Sequence, residues 1–139
     1  MALFKVDRAS AAAKNFEAPG TYTVNIVKSE PAITGKGDAT VKMIFRSDDG
    51  HVASDTFFNM EKAWWRLNQL LAACPKVKID EGSEIDLNKR ETFNGFLEQF
   101  VGQRVEIRLE EEKYVKNGEE KSVLRVKRYM PAGQVDEAF

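Results

Sequence analysis

The chain has 139 residues, 42% of them hydrophobic and 31% charged, with a formal net charge of −1. That length suits one domain able to bury a core without staples, and a single cysteine, Cys74, with a single histidine, His51, excludes an internal disulfide and a zinc site of the usual spacing. Near-neutral charge excludes a global basic field, so a surface for a polyanion has to be a local patch, although without Asp136 and Glu137 the formal charge becomes +1.

Residues 1–19 read as an arm, with room for one short helical turn, that ends at Pro19 and Gly20. In Thr21–Lys28, Tyr22, Val24 and Ile26 alternate with Thr23 and Asn25, which predicts a first strand. Glu30 and Pro31 are expected to stop it, and residues 34–38 (TGKGD) form a flexible loop. A second strand is predicted over Ala39–Ser47, with Val41, Met43 and Phe45 on one face and Lys42, Ile44 and Arg46 on the other. Asp48, Asp49 and Gly50 make a turn, and His51–Phe58 is the third strand. Asn59 then stands where a helix N-cap is expected. Trp64, Leu67, Leu71 and Cys74 recur at helical spacing over Met60–Cys74, and Pro75 ends that helix. A polar connector, residues 76–89, leads to a second helix over Thr92–Val101, broken by Gly102. Arg104–Lys113 alternates again, Asn117 and Gly118 are a strong hairpin signal, and Ser122–Tyr129 returns with Leu124 and Val126 facing inward.

Three strands, a helical insert and a two-stranded hairpin make a mainly β domain. The order predicts a five-stranded OB-fold barrel with its helices between strands 3 and 4; an open α+β sandwich is the alternative. The domain spans residues 1–131, and an acidic tail follows over 132–139. No apolar run approaches the ~20 residues of a membrane helix, and the start of the chain lacks the apolar stretch of a signal peptide. The lone cysteine fits a reducing compartment or a buried thiol.

Catalytic patterns are absent. The 34–37 segment lacks the upstream Gly and the following Ser or Thr of a phosphate loop, His51 has no triad, and no base is evident for Cys74. Glu110, Glu111 and Glu112 read as a solvated run before a turn. The expectation is a non-enzyme without cofactor or metal, with a hydrolase that uses a carboxylate metal site as a further alternative. A binding surface is better represented. Lys42, Ile44 and Arg46 share a face of the second strand, and Phe57 is expected to join them from the third, giving the aromatic and basic mixture that single-stranded nucleic acid requires. Lys36 in the first loop and Tyr114 beside the last hairpin would close over the groove. Arg104, Arg125 and Lys127 extend the basic set on the final hairpin, with Tyr129 in the same row. Ordinary packing offers the other reading: Ile44 and Phe57 lie under the arm or a helix, the cations are merely solvated, and Glu106 pairs with them across strands. Trp64 fits the core stripe, whereas Trp65 points about 100° away and is free for an edge, a subunit contact or a base. In the tail, Asp136 and Glu137 precede Phe139, a pattern suited to a basic-rimmed apolar pocket on a partner, although short acidic tails also act as simple solubilisers.

Four segments carry a resemblance: Gly20–Ile26 (GTYTVNI), Ala63–Leu71 (AWWRLNQLL), Val101–Ile107 (VGQRVEI) and Arg125–Pro131 (RVKRYMP). In their order and spacing, over about residues 1–132, the chain resembles a family of small phage proteins regarded as OB-fold single-stranded-DNA binders. Asp136, Glu137 and Phe139 resemble the acidic, Phe-terminated tips of bacterial and phage SSB proteins, with fewer acids than a typical tip. The resemblance implies a single-stranded-DNA-binding protein of phage replication or recombination in a bacterial cytoplasm. It further implies a dimer or higher oligomer that recruits replication or recombination proteins through its tail. The competing expectation, favoured by the near-neutral charge, is an interaction module such as a recombinase loader or structural phage protein without DNA affinity.

Overall fold

A computed structural model describes residues 3, 4, 6 and 14–132. It contains β1 (Lys14–Asn15), β2 (Gly20–Ile33), β3 (Ala39–Arg46), β4 (His51–Phe58), a 3-10 turn (Glu61–Ala63), α1 (Trp64–Ala73), α2 (Arg90–Glu98), β5 (Arg104–Lys116) and β6 (Glu119–Pro131). The strands form one six-stranded mixed sheet in the order β1-β4-β3-β2-β5-β6, strongly curled into a half-barrel, with both helices between β4 and β5. All neighbours are antiparallel except β1 and β4.

The alternating strands and the helical insert are where periodicity puts them, but several boundaries differ. Pro31 does not stop β2, because this half of the strand pairs only with β3 and an unpaired outer edge tolerates a missing N–H. The described part of the arm is not a helical turn: Lys14 and Asn15 pair with His51 and Val52 as a short parallel strand. The final hairpin is longer at both ends than the hydrophobic alternation implied. Its tip is the expected turn, with positive φ at Asn117 and Gly118. Asn59 is not a helix cap. Its side-chain amide donates to the Leu87 carbonyl, while its Oδ1 accepts a 3.2 Å hydrogen bond from the Trp64 indole.

β2 changes partner midway. Gly20–Asn25 face β5, and Asn25–Ile33 face β3, with an irregularity between Ile26 and Lys28. The strand bends there, as bulges bend strands, and the break is closed by the segment after α2: Gly102 N–H donates to the Ile26 carbonyl at 2.7 Å, and Ile26 N–H donates to Gln103. Gly102 takes φ +94, a conformation that a β-carbon disfavours. The bend curls the sheet around a core fed by Val24, Ile26, Met43, Phe45, Phe57 and Ile107, all buried. α1 presses Leu67, Leu70 and Ala73 onto it, and α2 contributes Phe93, Phe96 and Leu97. The α1 stripe therefore runs through Leu70 rather than Leu71, which is half-buried. Each fully buried aromatic or aliphatic side chain contributes about 1.5–3 kcal/mol over its exposed state.

The curl brings the free part of β4 toward β6 across the open side. Polar side chains span the gap. Asp55 of β4 accepts hydrogen bonds from Arg66 of α1 and from the Tyr129 hydroxyl of β6. Arg66 also lies over the Phe57 ring, 5.2 Å from its centroid, and Gln69 accepts from the Tyr129 N–H at 3.1 Å. Tyr129 thus faces inward and is buried, a correction to the expectation that it shares a row with Arg125 and Lys127. The register shift between Arg108 and Leu109 moves it there.

Candidate nucleic-acid interface

The turn after β3 decides which residues share the convex face. Ser47 accepts and donates across to His51, and the backbone of Gly50 bonds back to Ser47. The resulting register sets Arg46 opposite Val52, Ile44 opposite Ser54, Lys42 opposite Thr56 and Thr40 opposite Phe58. Directly opposed residues lie on one face, so Lys42, Ile44 and Arg46 are joined by Phe58. Phe57 is opposite Val41, only 2% exposed, and belongs to the core. The expectation that Phe57 stands beside Lys42 and Arg46 is therefore corrected. The adjacent residue, Phe58, is 41% exposed and takes that place. Lys42 and Arg46 are exposed, Ile44 is half-buried, and among the described residues the two cations make no ion pair.

From Phe58 the surface continues into a cleft of about 640 Å³ between β4 and β6, lined by Ser54, Thr56, Phe58, Trp65, Arg125 and Lys127 among others. Trp65 projects from α1 into solvent, 59% exposed. Sequence spacing left Trp65 open to several roles and missed Phe58. The turn closed on Ser47 and His51 pairs even positions of β3 with even positions of β4, which sets Phe58 rather than Phe57 on the face of Lys42 and Arg46.

The remaining cations are partly neutralised. Arg104 lies in a row with Asn25 and Arg46, but its guanidinium turns to Asp48, Nη2 to Oδ2 at 2.8 Å. The hydrogen bond to Arg104, and then its charge, hold the Asp48 carboxyl below its ordinary range. Arg125 and Lys127 converge on Glu112, at 3.2 and 2.5 Å. The Lys127 hydrogen bond leads the influences that keep the Glu112 carboxyl low. Arg104 is set opposite Asn25 and Val105 opposite Pro131, so Arg104 does not face Arg125. Arg125 faces Glu110 and Arg128 faces Arg108. Lys36 is exposed in the loop after β2, with no ion pair among the described residues, and Tyr114 is 40% exposed. These two do not flank one groove. The Lys36 loop leaves the C-terminal end of β2, while β5 runs past Gly20, the other end of β2, before reaching Tyr114. The tail residues Asp136, Glu137 and Phe139 lie outside the described residues.

Beneath the cleft the electrostatics change character. Burial works against charge on Arg66, yet its hydrogen bond and attraction to Asp55 outweigh this and raise its pKa. Burial, reinforced by the Asp55 charge, pushes the Tyr129 hydroxyl well above its ordinary value. Burial alone pushes the Cys74 thiol up to about 12, which leaves it unreactive at neutral pH. Among the described residues no group of three or more His, Cys, Asp or Glu could hold a metal ion, and no helix is long and apolar enough to cross a membrane. No protein-family model matches the chain, and no curated protein shows significant similarity to it.

Proposed function

We propose that the protein binds single-stranded DNA with little sequence preference, along a path from Arg46 and Lys42 over Phe58 to Trp65. The single observation that carries this reading is that Lys42 and Arg46, exposed and without an ion pair among the described residues, share a sheet face with Phe58, which lines one cleft with the exposed Trp65. Bases of any identity stack on aromatic faces, and cations follow the phosphates. Arg125 and Lys127 border the same cleft and join the path once phosphate competes with Glu112. Lys36, Arg104 and Tyr114 become peripheral contacts in this reading, and Phe57 is replaced by Phe58.

The finer architectural reading belongs with it. β2 through β6 follow the connectivity of an OB barrel, with β1 added at one edge and the β4–β6 seam bridged by side chains rather than by a ladder. OB folds bind nucleic acid on their second and third strands, here β3 and β4. With Asp136, Glu137 and Phe139 as a recruitment tip, the protein would serve phage replication or recombination in a bacterial cytoplasm, working as a dimer or higher oligomer.

Titration of intrinsic tryptophan fluorescence with oligo-dT tests the proposal, because Trp65 lies on the path. Quenching that is weaker for duplex and fades from low to high salt is expected. Phe58→Ala with Trp65→Ala should weaken binding by at least tenfold, since base–aromatic stacking is worth about 1–3 kcal/mol per base. Unchanged affinity in that double variant removes the path, and no binding at low salt removes the function. The second reading, an interaction module without DNA affinity, is favoured by the pairing of Arg104, Arg125 and Lys127 with the protein's own carboxylates. It predicts no oligo-dT response at any salt.

A further inference from the structure

On the side of the molecule away from the β4–β6 cleft, α1, the connector after it and α2 enclose a groove of about 750 Å³. Its floor is apolar, with Trp64, Leu71, Ile79, Ile85 and Phe96 among the lining residues. Asp80, Glu81 and Glu84 stand along its connector side, with no basic side chain in the lining. None of these residues is used by the DNA path. An apolar groove of this size left open to water is unfavourable by the area its occupant would cover.

Near the start of the chain three apolar side chains are exposed among the described residues. Leu3 is 86% exposed, Phe4 91% and Val6 61%. They are interleaved with Lys5 and followed by Asp7 and Arg8, so the segment has a basic excess. An exposed Phe and Leu flanked by cations complement an apolar floor bordered by carboxylates in both respects. The arm is anchored at Lys14 and Asn15, which pair with the first residues of β4. The groove begins beyond the last residues of that strand, at the opposite end. Leu3, Phe4 and Val6 bury little against the described residues, and the anchor and the groove stand at opposite ends of β4, which favours a groove on a second copy.

We infer that the groove between α1, the connector and α2 receives the N-terminal arm of a second copy of this chain, with Phe4 and Leu3 entering the apolar floor and Lys5 and Arg8 meeting Asp80, Glu81 and Glu84. Two such reciprocal contacts close a two-fold dimer, since each copy offers one arm and one groove. Charge complementarity selects this occupant, because a neutral or acidic segment would leave the carboxylates unpaired.

The test uses full-length protein throughout. Sedimentation equilibrium is expected to give a dimer for the wild type and a monomer for Leu3→Ser/Phe4→Ser, a change remote from the core. Glu81→Lys/Glu84→Lys, in an exposed connector, should also give a monomer. Mixing these two variants should restore a weaker dimer, because an intact arm then meets an intact groove once per pair. A mixture of Phe4→Cys and Ile85→Cys proteins should form a covalent heterodimer on oxidation, with the buried Cys74 not participating. A wild type that stays monomeric at high concentration overturns the inference. So does a doubly substituted Phe4→Cys/Ile85→Cys chain that oxidises wholly within itself, which would put the arm in its own groove.

Discussion

Two polar clusters in this protein use the same functional groups to different ends. Under the seam, Asp55, Arg66 and Tyr129 hold β4, α1 and β6 together, with the two charged side chains only 15% and 22% exposed. On the β5–β6 hairpin, Glu112 holds Arg125 and Lys127, with side chains 41–57% exposed. The first cluster is largely shielded from water, so solvent compensates little for a lost partner and each member depends on the others. The second is solvated and screened, so its pairs are exchangeable. Burial, not residue type, therefore separates a structural polar cluster from one free to trade partners with a ligand.

The largest effect should come from removing the hub of the buried cluster. Asp55→Ala leaves the Arg66 charge and the Tyr129 hydroxyl unpartnered. It should cost about 2–3 kcal/mol in urea unfolding, somewhat below the ~3–5 kcal/mol of a fully buried pair. A cost under about 1 kcal/mol would put this cluster on the same footing as the hairpin pairs. Tyr129→Phe keeps the ring packing against Phe45 and Phe57. Only one hydrogen bond is lost, so about 1–2 kcal/mol is expected.

The same burial predicts an alkaline limit. Cys74 and Tyr129 have folded pKa values above their ordinary 9.0 and 10.0. Above those values the unfolded chain releases protons that the folded chain retains, so folding stability is complete below about pH 9 and falls as pH rises. Cys74→Ala should remove the first part of this loss, up to about pH 12, and leave the part due to Tyr129. Denaturation midpoints that stay flat from pH 8 to 11 in the wild type would contradict the buried state of both groups.

The smallest effect on stability belongs to Glu112→Gln, which should leave the unfolding midpoint unchanged. Its effect on binding sharpens the comparison: with Arg125 and Lys127 released, affinity for oligo-dT should rise severalfold and its salt dependence steepen. Unaltered affinity and salt slope would take these two cations out of the DNA path.

Local chemistry in the sequence already determined β2 to β6, the two helices, the Asn117–Gly118 turn and the inward faces of Val41, Met43 and Phe45, but not the short β1 in the arm. Each follows from side-chain alternation, helical spacing or a turn conformation set by neighbours in the chain. Lys42, Ile44 and Arg46 were likewise legible as one outward face. The choice between Phe57 and Phe58 was not, because a one-residue difference in register reverses every side chain, and that register depends on how the Ser47–His51 turn closes. Nor could spacing alone show that Tyr129 turns inward, since the irregularity between Arg108 and Leu109 belongs to the pairing of β5 with β6. The partners of Arg104, Arg125 and Lys127, and the meeting of Phe58 with Trp65 across the cleft, arise from residues distant in sequence. Only the curl of the sheet, bent where β2 changes partner at Ile26, brings them together.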